Sequence, residues 1–526
     1  MNARSLRVRR RRKRSRFRRR DLPADAPTRL VGVFRSNLSA ILSPSMRKTR
    51  LVPPVSSTVA PIFLRRAARD AFCRNAFLWG VGNSFVNSTF VVYFLKALVP
   101  NDSQTAALGT AIAWTVAAPR LIGLLRLLTP AAIGWFGSRK RLCVSCALVA
   151  PTLLLTLPFG APFFERLATS DDGGLNAAFF LIGAIWAIHH LVEYVATTAL
   201  WSWMGDVVTP ASRLRFFARR ERRLLLGKLA GLAGVGAFTY LQRSLLFPPD
   251  FFAADAWKIA LPLLGVFFLT VSAFPLFLAP EICVEKSDKP SVFNMLRSLC
   301  APLRSPSFLA LVLFGVAIQA ILGFTQSPQY YFRTSVLQLS LFTSLASSAF
   351  LNVGQWKGSD RAARFVAHCN ASTACFAALS CVAIGFFLYA AAPTNAWFAV
   401  FVSASFWVAW VVVNITLNNE ITRRSEPSER SAFVAFYFAA TALAFGLASM
   451  GGGCVFDRVR ALAVERQTPG LEVAYCRVVF LVAGALLAFA PTLLLLFRNR
   501  RNLPNRNAYT SHFTASPDAQ PQPRRQ

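Results

Sequence analysis

The chain has 526 residues, of which 54% are hydrophobic and only 15% are charged, and its formal net charge is +35. Soluble globular proteins carry roughly 25% charged residues, and a water-facing surface does not hold this much Leu, Phe and Ala. The composition excludes a soluble globular protein and predicts a membrane protein with many spans.

The chain begins with a strongly basic segment. Residues 1–20 contain twelve Arg or Lys, and residues 21–66 mix Pro, Ser and charged residues without a sustained period. Such a block is typical of nucleic-acid binding or of a tail that contacts anionic lipid. Because a membrane protein follows, we favour the lipid and expect no nucleic-acid partner. We predict a mostly disordered cytoplasmic tail over 1–70, with a short amphipathic stretch at Leu30–Leu42.

Twelve apolar segments follow the tail, and a membrane-spanning helix needs about 20 such residues. They are 75–98, 105–133, 142–161, 175–205, 222–245, 257–279, 307–326, 335–353, 365–391, 396–419, 431–455 and 477–497. The pattern predicts an all-α membrane protein with two six-helix halves, 71–280 and 307–497. A central cytoplasmic loop, 281–306, joins the halves, and a cytoplasmic tail, 498–526, ends the chain.

Basic residues collect in the loops that follow the even-numbered spans. The five loops after spans 2, 4, 6, 8 and 10 together hold 19 Lys or Arg. Positively charged loops stay on the cytoplasmic side of a membrane. We therefore expect these loops and both termini to be cytoplasmic, and we expect the protein to be a monomer.

Two loops of the chain repeat the same pattern. The spacing Pro-x-x-Arg-x-x-Phe begins at Pro210 after span 4 and again at Pro427 after span 10, with an offset of 217 residues. A second repeat places Gly137 at the end of span 2 and Gly358 at the end of span 8, with an offset of 221 residues. Repeats of this kind predict two related halves, the architecture of many membrane carriers. Glycine at a helix end is expected to allow close approach.

The Gly-rich and Arg-rich loops after spans 2 and 8, with twelve spans in two halves, resemble the signature of the major facilitator superfamily. The run from Trp201 through Asp206 to Arg215 is similar to a loop common in its bacterial members. The resemblance covers 70–500 and implies a carrier in the inner (plasma) membrane of a bacterium. The signature usually carries an Asp before its Arg; Asp360 offers one in the second half, whereas the first half has Ser138. We expect the cytoplasmic gating loops to include Gly137, Arg139, Arg141, Asp206, Arg213, Asp360, Arg361 and Arg430.

Charged and polar residues inside the spans are the best indicators of function, because charge is costly at membrane depth. Span 4 contains His189, His190 and Glu193, and the four-residue spacing of His189 and Glu193 puts them on one helix face. A histidine beside a carboxylate can exchange protons near neutral pH. The resemblance implies that span 4 lines the transport path. We interpret the cluster as a proton-coupling or substrate site, with a polar lock between helices as the alternative.

Span 2 carries Arg120 and Arg126. A buried arginine needs an anion, and for Arg120 we expect Glu193 or an anionic substrate, whereas Arg126 is expected to extend toward the membrane surface. The remaining candidates for substrate contact are Asn83, Asn87, Gln319, Trp407, Trp410 and Asn414. For each of them, helix packing is the alternative role. Gly227 and Gly231 in span 5 predict close helix packing, and Gly451–Gly453 predict a bend in span 11.

Several chemistries have no signature in the sequence. A phosphate-binding G-x-x-x-x-G-K-[ST] run is absent, which argues against direct ATP drive. The Cys143-x-x-Cys146 spacing lies in an apolar span and is read as buried packing, and we expect no metal or cofactor. The sequence favours a secondary transporter that moves a small solute by alternating access. Two alternatives are a membrane-embedded enzyme and a carrier-shaped sensor or scaffold that does not transport.

Overall fold

The structure is a computed structural model that describes most of the chain after the basic tail. The described residues are 62–96, 108–169, 174–243, 256–281, 300–339, 341–426, 429–468 and 470–492. The predictions for the N-terminal tail with Leu30–Leu42, for most of the central loop, for Pro427 and for the tail 498–526 lie outside these residues.

The described residues form twelve helical spans and no strand. In the first half, α1 is Ile62–Phe85 with Ser88–Lys96, α2 is Leu108–Ile122, Gly123–Leu128 and Thr129–Phe136, α3 is Arg139–Leu153 with Thr156–Thr169, α4 is Gly174–Val207, α5 is Arg213–Arg243, and α6 is Ala256–Val271 with Ala273–Leu278. In the second half, α7 is Pro306–Phe324, Gln326–Tyr331 and Phe332–Val336, α8 is Leu341–His368, α9 is Ala371–Ala391, α10 is Ala399–Trp407 with Trp410–Arg424, α11 is Arg430–Glu465, and α12 is Leu471–Phe489.

Nine of the helices in the described part of the chain are long and apolar enough to cross a membrane. The other three spans are α1, α5 and α8, which contain charged residues such as Arg69, Arg222 and Asp360. The protein is an integral membrane protein, and the predicted architecture of twelve helices in two halves is confirmed.

The two halves use the same packing pairs. Within the first half α1 packs on α5, and within the second half α7 packs on α11. Between the halves, α2 packs on α11 and α5 packs on α8. Helices at the same ordinal positions therefore make the same contacts in each half, as a duplicated chain would.

Glycine brings the paired helices of each half together. A Cβ atom at Gly227 of α5 would collide with the carbonyl oxygen of Phe77 on α1, and one at Gly452 of α11 would collide with the carbonyl oxygen of Phe324 on α7. Small residues let the backbones of membrane helices approach closely, as predicted for α5. In α11 the glycines of 451–453 lie inside one uninterrupted helix, where Gly452 serves packing.

Two glycines at predicted helix ends have other roles than expected. Gly137 ends α2 with φ 64°, and a Cβ there would meet no atom within 4 Å. It is needed for its left-handed backbone, which other L-residues adopt at a cost, and the predicted close approach is wrong. Gly358 lies inside α8, which continues to His368, so the loop predicted between spans 8 and 9 is helical.

Candidate functional site

The helix α1 is interrupted after its first 24 residues. Its two segments meet at Val86 and Asn87, and the Asn87 Oδ1 atom accepts a hydrogen bond from the Phe90 backbone N–H at 3.0 Å. A side-chain oxygen that bonds a backbone N–H three residues later is the usual N-terminal cap of a helix. Asn87 therefore starts the second segment, Ser88–Lys96, and its amide also donates to the Ser84 carbonyl oxygen at 3.3 Å.

A cavity of about 300 Å³ lies beside this interruption, between the two halves. Helices α1 and α5 form its wall in the first half, and α7 and α8 form its wall in the second. Its polar residues from the first half are Asn83, Ser84, Asn87, Thr89 and Lys228. Those from the second half are Tyr330, Arg333, Thr334, Ser344, Ser348 and Asn352. The structure thus places Asn83 and Asn87, of the residues proposed from sequence, on one cavity wall.

Each half contributes one cation to the cavity. Lys228 comes from α5, where its carbonyl oxygen accepts a hydrogen bond from Ser84 Oγ at 3.0 Å. Arg333 lies in the π-helical turn Phe332–Val336 of α7, a geometry often found at functional sites. Its Nε donates to the Tyr389 hydroxyl at 3.2 Å, and its guanidinium lies 5.8 Å from the centre of that ring. Tyr389 therefore holds Arg333 in place.

The predicted polar cluster of α4 is assembled around Glu193. One carboxylate oxygen accepts a hydrogen bond from Trp79 Nε1 on α1 at 2.7 Å. The other lies 2.8 Å from His190 Nδ1 and 3.9 Å from His189 Nε2. All these side chains are largely removed from solvent. The contact with Trp79 shows that the cluster joins α4 to α1, which the sequence did not predict.

The surroundings fix the tautomer of one histidine and leave that of the other open. His189 Nδ1 lies 2.8 Å from the Ala150 carbonyl oxygen on α3. A carbonyl oxygen only accepts, so Nδ1 carries a proton and Nε2 faces Glu193. The His190–Glu193 contact keeps its hydrogen bond whether the proton resides on the ring nitrogen or on the carboxyl group.

Arg120 is not paired with Glu193, and its second predicted partner, an anionic substrate, stays a prediction. The Arg120 guanidinium lies 4.8 Å from the centre of the Phe445 ring on α11. Among the described ion pairs none joins Arg120 to Glu193, because the two histidines and Trp79 surround that carboxylate. Arg126 does not extend to the membrane surface. It is only 6% exposed, and its guanidinium lies 3.4 Å from the centre of the Tyr194 ring.

The ends of α2, α4, α8 and α10 form one face of the bundle, which we call the basic face. It holds Arg139, Asp206, Arg213, Arg222, Asp360 and Arg430. On this face the carboxylate of Asp206 bonds both Arg139 at the start of α3 and Arg430 at the start of α11. Asp206 and Arg430 belong to different halves, so their pair joins the halves at this face.

Three further contacts define the basic face. Ser138 caps α3 by accepting the Arg141 backbone N–H at 3.0 Å, and it donates to Glu281 at 2.6 Å. The serine that replaces the expected Asp is therefore a helix cap, while Asp206 supplies the carboxylate to Arg139. A second pair between the halves joins Arg222 of α5 to Asp360 of α8 at 2.7 Å, with both side chains about half exposed.

The other residues proposed from sequence lie apart from the cavity. Trp407 packs on Phe386 and on Trp410, with ring centres 5.3 Å and 6.1 Å apart, and Asn414 Nδ2 lies 3.5 Å from the Glu221 carboxylate. These contacts fit the packing alternative. Gln319 is half-buried in α7, Arg213 is buried at the start of α5, and Arg141 and Arg361 are exposed on the basic face.

Three residues of the site were missed by sequence reasoning. Lys228 lies within predicted span 5, and its charge at membrane depth was a usable signal. Arg333 was placed in a loop because span 7 was predicted to end at 326, whereas α7 continues to Val336. Trp79 had no signal, since nothing in the sequence pairs an indole with a carboxylate 114 residues later.

The α4 cluster also has the donor set of a metal site. One ligand atom from each of His189, His190 and Glu193 lies within 4.8 Å of the others. His189 donates its second nitrogen to a backbone carbonyl, as metal-bound histidines commonly do. Against this role, Arg126 stacks on Tyr194 beside the cluster and brings a positive charge close to any bound cation.

Comparisons with known proteins identify the fold. No protein-family model and no curated protein matches the sequence. The human organic anion transporter MFSD10 is 14% identical with a TM-score of 0.55, over 83% of this chain and 100% of that one. A bacterial homologue of the iron transporter ferroportin, in an outward-facing state, is 13% identical with a TM-score of 0.56, over 82% and 99%.

A third structure names the superfamily. The proton:xylose symporter XylE of the major facilitator superfamily is 14% identical with a TM-score of 0.51, over 80% of this chain and 95% of that one. At these identities the likeness is one of fold. The chain therefore has the fold of the major facilitator superfamily.

Proposed function

We propose that the protein is a secondary transporter that moves a small solute across a bacterial inner membrane by alternating access. The observation that carries the proposal is the polar cavity whose walls come from both halves. In carriers built from repeats, the solute site lies at the interface of the repeats, and rocking of the halves exposes it to each side in turn. The solved structures of the same fold are transporters, which favours a carrier over a membrane-embedded enzyme.

The pairs on the basic face define the conformation in which the cavity is found. Asp206 bonds Arg430, and Arg222 bonds Asp360, so the halves are held together at that face. With the basic face taken as cytoplasmic, as the distribution of Lys and Arg predicts, this is the state closed to the cytoplasm. Opening to the cytoplasm requires both pairs to break.

The α4 cluster supports proton coupling of this transport. Trp79 and Asn83 are four residues apart on α1, which is about 6 Å along a helix. Trp79 bonds Glu193, while Asn83 lines the cavity. A proton that enters the His190–Glu193 pair changes the charge that Trp79 contacts, and α1 connects this change to the cavity wall. In our proposal the pair takes a proton on one side of the membrane and releases it on the other.

A metal ion is the competing occupant of the cluster. The positive charge of Arg126 beside Tyr194 disfavours a divalent cation more than it disfavours a single proton. We therefore propose protonation as the role of the cluster. Binding of zinc to the purified protein, lost in Glu193→Gln, would favour the metal instead.

Transport is tested first by comparing the metabolites of cells with and without the protein. Compounds whose level depends on the protein are then offered to proteoliposomes under an imposed pH gradient. We expect accumulation against a concentration gradient with the wild type. Glu193→Gln should abolish accumulation and retain exchange of labelled for unlabelled solute at equal pH, since exchange does not require net proton movement.

The matched control is Glu465→Gln, which removes an exposed carboxylate at the end of α11. It should accumulate solute like the wild type. Absence of movement of any solute under any pH gradient would contradict transport and favour the sensor or scaffold alternative. Full accumulation with Glu193→Gln would retain transport and rule out the proposed coupling site.

A further inference from the structure

Helix α2 presents two arginines to α11 across the interface between the halves. The Arg120 guanidinium lies 4.8 Å from the centre of the Phe445 ring, and that of Arg126 lies 5.7 Å from the centre of the Phe438 ring. Arg126 also donates a hydrogen bond to the Phe438 backbone carbonyl oxygen at 3.5 Å. A guanidinium near the face of an aromatic ring is attracted to it, and the attraction is stronger away from water. These contacts therefore hold α2 of the first half against α11 of the second.

A 3₁₀ turn in α2 brings Arg126 to this interface. The turn covers Gly123–Leu128, where Gly123 and Arg126 are buried and Leu125 is exposed. Six residues of α-helix would place Arg126 about 120° around the axis from Arg120, and the tighter turn reduces this angle to about 60°. Both arginines therefore face α11, while the leucine faces outward.

Tyr194 of α4 holds Arg126 from the side of the first half. Arg126 is only 6% exposed, and its guanidinium lies 3.4 Å from the centre of the Tyr194 ring. Glu193 attracts this charge and Arg120 repels it. Tyr194 also stacks on His190, with the ring centres 5.3 Å apart. Arg126 therefore connects the part of α4 beside Glu193 to α11 of the other half.

Phe438 packs against two side chains of the first half. Arg126 approaches it from α2, and the ring of Trp201 on α4 lies 6.4 Å from it between centres. Trp201 packs in turn on Phe217 of α5, with ring centres 5.4 Å apart, and the Arg220 guanidinium of α5 lies 4.9 Å from the centre of its ring. One aromatic ring of the second half therefore contacts α2 and α4, and through Trp201 it is connected to α5.

The contact of Phe438 lies deeper in the bundle than the ion pair at the basic face. Phe438 follows Arg430 by eight residues on the uninterrupted helix α11, which is about 12 Å along the axis. Trp201 precedes Asp206 by five residues on α4, which is about 8 Å. Helices α4 and α11 therefore meet at two levels, an outer one made by charges and an inner one made by aromatic rings and Arg126.

We propose that Arg126 and Phe438 form an inner latch that keeps the two halves closed at the basic face. This inference rests on the proposed function, because it takes the halves as moving apart at that face. Separation of α2 from α11 removes the Phe438 ring and carbonyl oxygen from Arg126, whereas Tyr194 stays beside it because both belong to the first half. Opening therefore requires the inner latch to break together with the Asp206–Arg430 pair.

The latch is tested on the full-length protein in lipid nanodiscs, without any transport measurement. The reporter is Ala218→Cys in a background without native cysteines, and the rate of its labelling by N-ethylmaleimide is measured. Ala218 is 2% exposed and lies in a buried cluster with Ala362 of α8 and Ile415 of α10. This cluster joins the halves through other helices than the latch does, so labelling there reports separation of the halves.

Two substitutions weaken the latch from opposite sides. Phe438→Leu keeps an apolar side chain and removes the ring, and Arg126→Gln removes the charge. Each should raise the labelling rate by about threefold or more, because a buried contact between a cation and an aromatic ring is lost and the open state becomes more populated. Asp206→Asn, which breaks the outer pair, is the positive control.

A double variant and a matched control keep the test decisive. With Arg126→Gln and Phe438→Leu combined, the increase should stay well below the product of the two single increases, because two residues of one contact do not contribute independently. Phe376→Leu removes an exposed ring of α9 and should label like the parent. Parent rates in both single variants, or increases that multiply in the double variant, would overturn the proposal.

Opening is distinguished from unfolding by a second reporter. Cys375 is fully buried in the core of the second half, and as the single retained cysteine it should stay unlabelled in every folded variant. A variant in which Cys375 is labelled is unfolded. If this variant is Phe438→Leu, then Phe438→Met, which keeps more of the side-chain volume, takes its place in the comparison.

The outcome is separable from that of the proposed function. Faster labelling in Asp206→Asn, with parent rates in Arg126→Gln and Phe438→Leu, supports movement of the halves and contradicts the inner latch. A protein that opens more readily in the latch variants but moves no solute in proteoliposomes supports the latch and contradicts transport. Parent rates in all three variants contradict both the latch and opening at the basic face.

Discussion

Asp206 at the end of α4 forms an ion pair with Arg430 at the start of α11, and this pair joins the two halves of the protein. Asp206 also holds Arg139 of its own half. Gly205 makes the approach possible, because a Cβ atom at that position would collide with the Arg430 side chain. Both partners are at most 13% exposed, so the pair is largely desolvated. Breaking such a pair leaves an uncompensated charge and costs about 3–5 kcal/mol.

Asp206→Asn is expected to open the basic face, since Arg139 and Arg430 lose their shared anion. Spin labels on cysteines placed at the exposed positions Arg141 and Arg361, in a background without native cysteines, report the distance between the halves. We expect longer distances in Asp206→Asn than in the parent. Arg222→Gln is the control, because its exposed pair contributes only about 0–1 kcal/mol, and it should leave the distances unchanged. Equal distances in Asp206→Asn and the parent would contradict this role.

His190→Gln is expected to flatten the pH dependence of transport. Imidazole is the side chain whose charge ordinarily changes between about pH 5 and 8, and His190 lies 2.8 Å from the Glu193 carboxylate. Glutamine keeps a hydrogen bond to Glu193 but cannot take a proton. The initial uptake rate is measured across this pH range with equal pH on both sides. His368→Gln, at an exposed histidine of α8, should keep the wild-type profile; a wild-type profile in His190→Gln would exclude this residue from coupling.

Trp79→Phe is expected to destabilise the first half. The substitution retains an aromatic ring but removes the N–H group that Glu193 accepts at 2.7 Å. Loss of a hydrogen bond to a charged group costs about 1.5–3 kcal/mol, which should appear as a lower melting temperature in detergent. Trp397→Phe alters a tryptophan that is 57% exposed, and it should melt within experimental error of the wild type. If both variants melt alike, the Trp79–Glu193 bond contributes nothing measurable.

Gly227→Ala is expected to disrupt the α1–α5 contact, and Gly236→Ala is its control on the same helix. A Cβ at Gly227 collides with the Phe77 carbonyl oxygen, whereas one at Gly236 meets no atom within 4 Å. Overpacking costs about 1–3 kcal/mol, while alanine improves helix propensity by up to about 1 kcal/mol at an open position. In thermal unfolding, the melting temperature of Gly227→Ala should lie below that of the wild type, and that of Gly236→Ala should lie at or above it. The reverse order would contradict the tight packing.

The helices were predictable because their signal is local. A run of about 20 apolar residues must span the membrane as a helix, since no water is present to bond its backbone. The positions at which the helices end were less predictable. The helix α8 continues past Gly358 to His368, and α7 continues past 326 to Val336, because polar and charged residues extend helices beyond the apolar core.

The candidate site was predictable only where its members lie on one helix. His189, His190 and Glu193 were grouped from sequence because three- and four-residue spacings share a helix face. The pairing of Arg120 with Glu193 was wrong because it crosses from α2 to α4, and there the histidines and Trp79 reach the carboxylate. Charge alone identifies a residue that needs a partner, and it does not identify which partner is near.

The sequence by itself determined that this is a membrane protein of twelve helices in two related halves, because apolar length and repeated loops are properties of the chain. Only the tertiary structure decided that Lys228 and Arg333 share one cavity, that Trp79 completes the Glu193 cluster, and that Asp206 joins the halves through Arg430. These relationships connect residues more than a hundred positions apart. They depend on the rotation and the crossing of the helices. Helix packing determines both, and the local spacing of residues does not encode them.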